Sequence, residues 1–208
     1  MQTTIYKLTE FFIIFILVPV SFAVQYPVVI KMIIGIVGFI YVLFVLLRVE
    51  KNQFKMSPNL NWKAFFKRIM LQFFGIVILT IAYMWFVDKS NLFVVIKNKP
   101  LLWMVILFIY SVFSVYPQEL IYRTFFFQRY QHIFKNEKFF ILLNASLFSL
   151  AHIFFRNGLV MVLTFIGGIL FALTFKKTKS TFLVSIEHAI YGCWLFTVGM
   201  GEMLGFPS

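Results

Sequence analysis

Apolar runs of about 20 residues recur seven times along this chain, and that repetition is the strongest limit on what it folds into. The runs extend from about Phe11 to Ala23 (with Ile5 as an earlier start), Met32 to Leu47, Phe65 to Val87, Leu101 to Phe127, Phe139 to Phe155, Leu159 to Phe175 and Phe182 to Val198. Hydrocarbon offers no hydrogen bonds, so each run has to satisfy its own backbone, which a helix does. The composition excludes a soluble alternative. Apolar residues make up 62% of the chain and charged residues 12%, against roughly 45–50% and about 25% in soluble domains. A core of 208 residues cannot hide that excess. The expected fold is all-α, a polytopic integral membrane bundle of about seven transmembrane helices. It forms a single membrane domain over residues 1–208, with N-terminal spans in 1–100. The short apolar stretch from Asn91 to Ile96 is expected at the membrane interface.

The net charge of +12 raises the question of nucleic acid. The basic residues sit in short segments between apolar runs, with no basic face and no nucleic-acid motif, so they are read as topology determinants and nucleic acid is set aside as a partner. With the N-terminus inside, the inner segments hold Lys7, Arg48, Lys51, Lys55, Lys63, Lys67, Arg68, Arg129, Lys135, Lys138, Lys176, Lys177 and Lys179, and the outer segments hold Lys31, Lys89, Lys97, Lys99 and Arg156. Thirteen against five predicts an inner N-terminus and an outer C-terminus, in the cytoplasmic membrane of a bacterium. Lys7, the apolar stretch after it and Ser21-Phe22-Ala23 loosely resemble a signal peptide; the segment is expected to stay as the first span. The one cysteine, Cys193, excludes an internal disulfide and is read as a small packing residue.

Ionisable side chains inside the runs are costly, at least about 2.5–3.5 kcal/mol each near the bilayer centre, and tend to mark function. Away from the run ends, where Lys67 and Arg68 fall, they occur in three places: Gln118-Glu119-Leu120-Ile121-Tyr122-Arg123 in the fourth run, Phe148 to His152 in the fifth, and Glu187-His188 up to Gly192 in the seventh. Glu119 lies nine residues before Gln128, His152 fourteen after Lys138 and His188 nine after Lys179. At about 1.5 Å per residue, all three fall roughly 13–21 Å from the inner surface. That shared depth predicts one water-accessible cavity among the fourth, fifth and seventh spans, open toward the inner side. Glu119 and Arg123 are one helical turn apart and are expected to pair. Pro117, with no N–H, disturbs the helix just before them. Each group also has a structural reading: an ion pair, a core histidine bonded to a carbonyl, a polar helix contact. His132 falls in the basic inner loop and is read as solvated. Gly167, Gly168 and Ala172 are read as close helix contacts.

On these three segments the chain resembles the CPBP family of intramembrane proteases, which includes CAAX prenyl proteases and bacteriocin-processing or self-immunity proteins. The family pattern is Glu-Glu-x-x-x-Arg, then Phe-x-x-x-His, then His-x-x-x-Asn, each on a membrane helix. The resemblance covers about residues 101–198. Gln118 stands where the family has its first Glu, and Gly192 where it has Asn. The resemblance implies that the first motif and His152 activate water, that His188 and the residue at 192 stabilise an oxyanion, and that Glu119 pairs with Arg123. With Gln118 an amide, Glu119 is the carboxylate base, helped by His152, and His188 is the oxyanion donor. Gln118, Arg123, Phe148, Gly192 and Glu187 are supporting residues, with Glu187 expected to face another neighbour because it lies about 100° around the helix from His188. The implied function is hydrolysis of peptide bonds in membrane-associated proteins or peptides, with the lipid bilayer as constant partner. Glutamate-type chemistry needs no cofactor. A Zn2+ site using Glu119, His152 and His188 is the metalloprotease alternative, although no His-Glu-x-x-His helix is present. The competing classes are a catalytically impaired binding or immunity-type scaffold, which the two departures favour, and a proton-coupled transporter, which the absence of an internal repeat disfavours.

The orientation is testable with single cysteines at Ser208 and Asn136 in a chain whose Cys193 is replaced. An impermeant maleimide added outside is expected to label position 208 and to leave 136 unlabelled; labelling of 208 from the inside alone contradicts the charge tally.

Overall fold

The computed structural model describes residues 3–205, and among them every regular element is a helix. Ser208, one of the two reporter positions, lies outside the described residues. Seven helices are long and apolar enough to cross a membrane: Thr4–Phe22, Val28–Val49, Trp62–Val87, Pro100–Tyr130, Glu137–Phe155, Gly158–Thr178 and Thr181–Val198, numbered here α1 to α7.

These spans coincide with the seven apolar runs and mostly exceed them at the ends, for local reasons. Several begin on polar caps that hydropathy does not see. The side chains of Thr3, Asn61, Asn136 and Asn157 accept backbone N–H groups of the first turns of α1, α3, α5 and α6, satisfying donors that a helix start leaves over. Lys31 belongs to α2 rather than to the preceding loop, and its ammonium donates to the Phe22 carbonyl at the end of α1. α4 runs on through Gln128 and Arg129 to Tyr130. Between α3 and α4, Lys89–Asn91 forms a 3₁₀ turn and Val94–Asn98 a short helix. The Asn91 side chain, and then that of Ser90, donate to half-buried Asp88 and hold its carboxyl below the usual range.

The chain gathers into two compact units, each discontinuous in sequence. The first comprises the chain up to Met56 with Gln118–Thr181; the second comprises Ser57–Pro117 with the chain from Phe182. The first unit has an aromatic core in which Phe15, Phe125, Phe126 and Tyr130 are fully buried. Phe15 meets Phe126 edge-on at 5.2 Å and Tyr130 at 5.9 Å, the tilted geometry that ring quadrupoles favour. α5 and α6 touch backbone to backbone: a Cβ on Gly168 would stand 2.9 Å from Ala145 Cα, and Ala172 is buried one turn on. Gly167 faces only Phe171 of its own helix. In the second unit Val95, Ile106 and Phe196 form an apolar cluster.

The first unit also holds an ionic network that the charge tally misplaced. Arg129 is 1% exposed. Its Nε and Nη2 donate to the two Glu10 oxygens at 2.8 and 3.1 Å, and its Nη1 to Glu50 at 2.7 Å. Glu10 also accepts from the hydroxyls of Tyr130, at 2.7 Å, and Tyr41. Lys7 stands 3.9 Å from Glu50. Arg129 is therefore a joint between α1, α2 and the end of α4. Removing one member of a buried ion pair strands the others, at about 3–5 kcal/mol. Arg129→Ala is expected to lower the unfolding midpoint in detergent by an amount of that order, whereas Lys135→Ala, in the exposed segment after α4, leaves it within error.

Candidate active site

The first motif lies on α4, where Tyr116–Glu119 is flanked by two π-helical turns, Tyr110–Val115 and Leu120–Phe125. The helix passes through Pro117 without a break, so the expected disturbance takes the form of widened turns on either side. Such bulges are common at functional sites. Glu119 and Arg123 are fully buried and form an ion pair, Arg123 Nε to Glu119 Oε2 at 3.2 Å. Gln118 is half-buried beside them.

Arg123 has more than one partner. Its Nη1 donates to Asn144 Oδ1 at 2.7 Å and to the Tyr122 carbonyl at 3.3 Å, and Asn144 Nδ2 donates to the same carbonyl at 2.7 Å. The guanidinium also lies 4.7 Å from the centre of the Phe148 ring and 5.8 Å from that of Phe171, within the range of cation–π attraction. α4, α5 and α6 thus all contribute to the environment of one cation. Asn144 is a residue that sequence reasoning missed. The available signal was its register, since Asn144, Phe148 and His152 follow one another at four-residue steps.

His152 differs from expectation in one respect. The regular helix ends at Leu150, and His152 sits on the closing turn with φ −98° and ψ 5°. It still reaches back one turn, its Nδ1 lying 2.8 Å from the Phe148 carbonyl. A carbonyl only accepts, so Nδ1 carries a proton, and in the neutral ring Nε2 is the acceptor. The imidazole packs on Phe148 with ring centres 4.9 Å apart. Glu119, Arg123, Phe148 and His152 therefore belong to one assembled group inside the first unit.

The third motif lies in the second unit. His188 is 6% exposed, and its Nε2 is 3.1 Å from the hydroxyl of Tyr110 on α4. Gly192, one turn beyond, is buried against the same phenol: a Cβ there would fall 2.0 Å from the Tyr110 hydroxyl oxygen. Glu187 is fully buried and turned to other partners, as its helical offset predicts. It stands 3.9 Å from Arg68 on α3 and accepts from the Tyr191 hydroxyl at 3.2 Å. Tyr191 also lies 3.1 Å from Gln72 Oε1. Tyr110 and Arg68 are further residues missed in the sequence. Arg68 had been counted as a loop charge, and Tyr110 lies outside all three motifs. His132 is exposed, and Cys193 is partly buried with its sulfur 3.5 Å from Ser111 Oγ.

A hydrolytic zinc ion takes three protein ligands. Among the described residues no group of three or more His, Cys, Asp or Glu side chains is gathered for a metal. The first unit also has a cavity of about 310 Å³, bordered by Lys51, Lys55, Thr124, Gln128, Lys179 and Thr181 among others; no motif residue lines it.

A model of the family described as Rce1-like, type II CAAX prenyl endopeptidase, matches residues 100–194. No curated protein and no solved structure matches the chain.

The Arg123 environment leads to a graded expectation in thermal unfolding. Arg123→Ala leaves buried Glu119 without its cation, at about 3–5 kcal/mol. Asn144→Ala removes a neutral hydrogen-bonding partner, at about 1–3 kcal/mol. Unchanged melting of Arg123→Ala would contradict the pairing as a structural requirement.

Proposed function

We propose, for a chain that belongs through residues 100–194 to the Rce1-like family of type II CAAX prenyl endopeptidases, that it is an intramembrane peptidase hydrolysing membrane-associated proteins or peptides. The observation that carries this reading is the grouping of Glu119 and His152 around the Arg123–Phe148 pair, with the proton of His152 on Nδ1. Peptide hydrolysis needs a group that takes a proton from water and donors that receive charge on the carbonyl oxygen. In the neutral ring, His152 Nε2 is the nitrogen that can take a proton. Glu119 is the only carboxylate of the first motif, and Arg123 fixes its position. Gln118 orients water through its amide without taking its proton. His188 supplies the oxyanion donor, and Glu187, in contact with Arg68 and Tyr191, supports the helix that carries it. The protein is proposed to sit in a bacterial cytoplasmic membrane with its N-terminus inside and C-terminus outside, and to offer its site to substrate from the inner side.

Gln118 supports a second reading, a binding or immunity-type scaffold without turnover, because an amide cannot replace the proton acceptor of the family pattern. A quenched peptide library in reconstituted membranes separates the two. Weak turnover is expected from the parent. Gln118→Glu should raise it and Glu119→Gln should abolish it, the latter with some loss of stability. Absence of cleavage by the parent and by Gln118→Glu favours the scaffold; a fully active Glu119→Gln removes Glu119 from the role of base.

A further inference from the structure

Gly192 is more than a missing side chain. A Cβ at this position would lie 2.0 Å from the Tyr110 hydroxyl oxygen and 2.4 Å from two carbons of its ring. The space that a side chain at 192 would take is thus filled by a phenol from another span. The ring is held there: it meets Phe196 edge-on with centres 4.7 Å apart and His188 edge-on at 6.0 Å. Its hydroxyl lies 3.1 Å from His188 Nε2. We infer that Tyr110 takes over the work of the residue lost at 192, as the positioning residue of His188.

The chemistry of the contact fits this role in both tautomers. If Tyr110 donates to Nε2, the imidazole carries its proton on Nδ1; if His188 donates from Nε2, the phenol oxygen accepts. Whichever way the bond runs, it fixes the orientation of the His188 ring. A polar residue at 192 would hold His188 from one turn along α7; Tyr110 holds it from α4. A glycine at 192 is what admits the ring. Any larger residue displaces the phenol, and with it the His188 bond.

The contact itself is independent of the peptidase reading, whereas its use in oxyanion binding rests on that reading, so the test has two arms. The first is ring-nitrogen NMR of the ¹⁵N-histidine-labelled full chain in detergent. With three histidines in the chain, His188→Gln assigns the His188 signals. Tyr110→Phe keeps the ring packing and removes the hydroxyl; it is expected to shift the His188 ring nitrogens, leave those of His132 and His152 in place, and melt close to the parent. Gly192→Ala, which pushes the phenol away, is expected to shift the same signals. Unmoved His188 signals in Tyr110→Phe would overturn the proposal. The second arm is turnover. Tyr110→Phe is expected to lower kcat about 10²-fold with little change in KM, the scale of losing one oxyanion-site donor, and Tyr110→Ala with Gly192→Asn is expected to recover turnover over Tyr110→Ala alone. A parent that cleaves nothing while the NMR response stands retires the peptidase reading and keeps Tyr110 as the holder of His188. An active parent with an unchanged kcat in Tyr110→Phe overturns the proposal.

Discussion

Arg123 carries a charge that it cannot give up and that no water reaches, and the first unit is organised around that fact. A guanidinium has no accessible neutral form, so burial obliges the protein to solvate it. Glu119 supplies the counter-charge, Asn144 and the Tyr122 carbonyl supply neutral acceptors, and Phe148 and Phe171 supply ring faces. These groups come from three helices, so their packing and the charge specify each other. His152 is placed by the same arrangement, because Phe148 provides both the ring that it packs on and the carbonyl that fixes its proton. The structural and chemical halves of the motif are therefore not separable parts.

Much of this was legible along the chain, and the limits were physical. Apolar run length determines a membrane helix directly, so all seven spans were recovered. Their ends were less legible, because a capping asparagine or a lysine inside the first turn looks like loop to a hydropathy pattern. Contacts one turn apart were also readable: Glu119 with Arg123, and Phe148 with His152. Contacts between spans were not. Tyr110 and His188 are 78 residues apart, and nothing local to Tyr110 distinguishes it from other tyrosines. Arg129 shows the same limit for charge. A tally by segment counts a buried arginine with distant partners as one more solvated cation.

The two departures from the family pattern differ in physical kind. Gln118 keeps the shape of a glutamate and loses its acid–base chemistry, so no neighbour can restore the function by filling space. Gly192 loses atoms, and the vacated volume is open to a replacement from elsewhere in the fold. An alignment column records both as substitutions. The packing separates them: a phenol fills the space at 192, which the proposal for Tyr110 reads as a change of supplier, whereas Gln118 is a change of chemistry in place.

The Arg129 joint also sets an order of events during synthesis. Glu10 and Arg129 are 119 residues apart, which at about 5–20 residues per second corresponds to roughly 6–24 s of translation. For the last 79 residues of that interval, from Glu50 onward, the first two helices are complete and the arginine that pairs with Glu10 is not yet made. Glu50 has Lys7 nearby from the start, but burying Glu10 early would leave it uncompensated in a low-dielectric setting, so α1 has to keep it near the headgroups until the end of α4 emerges. Closure of the first unit is then a late step of biogenesis, triggered by the arrival of a single residue.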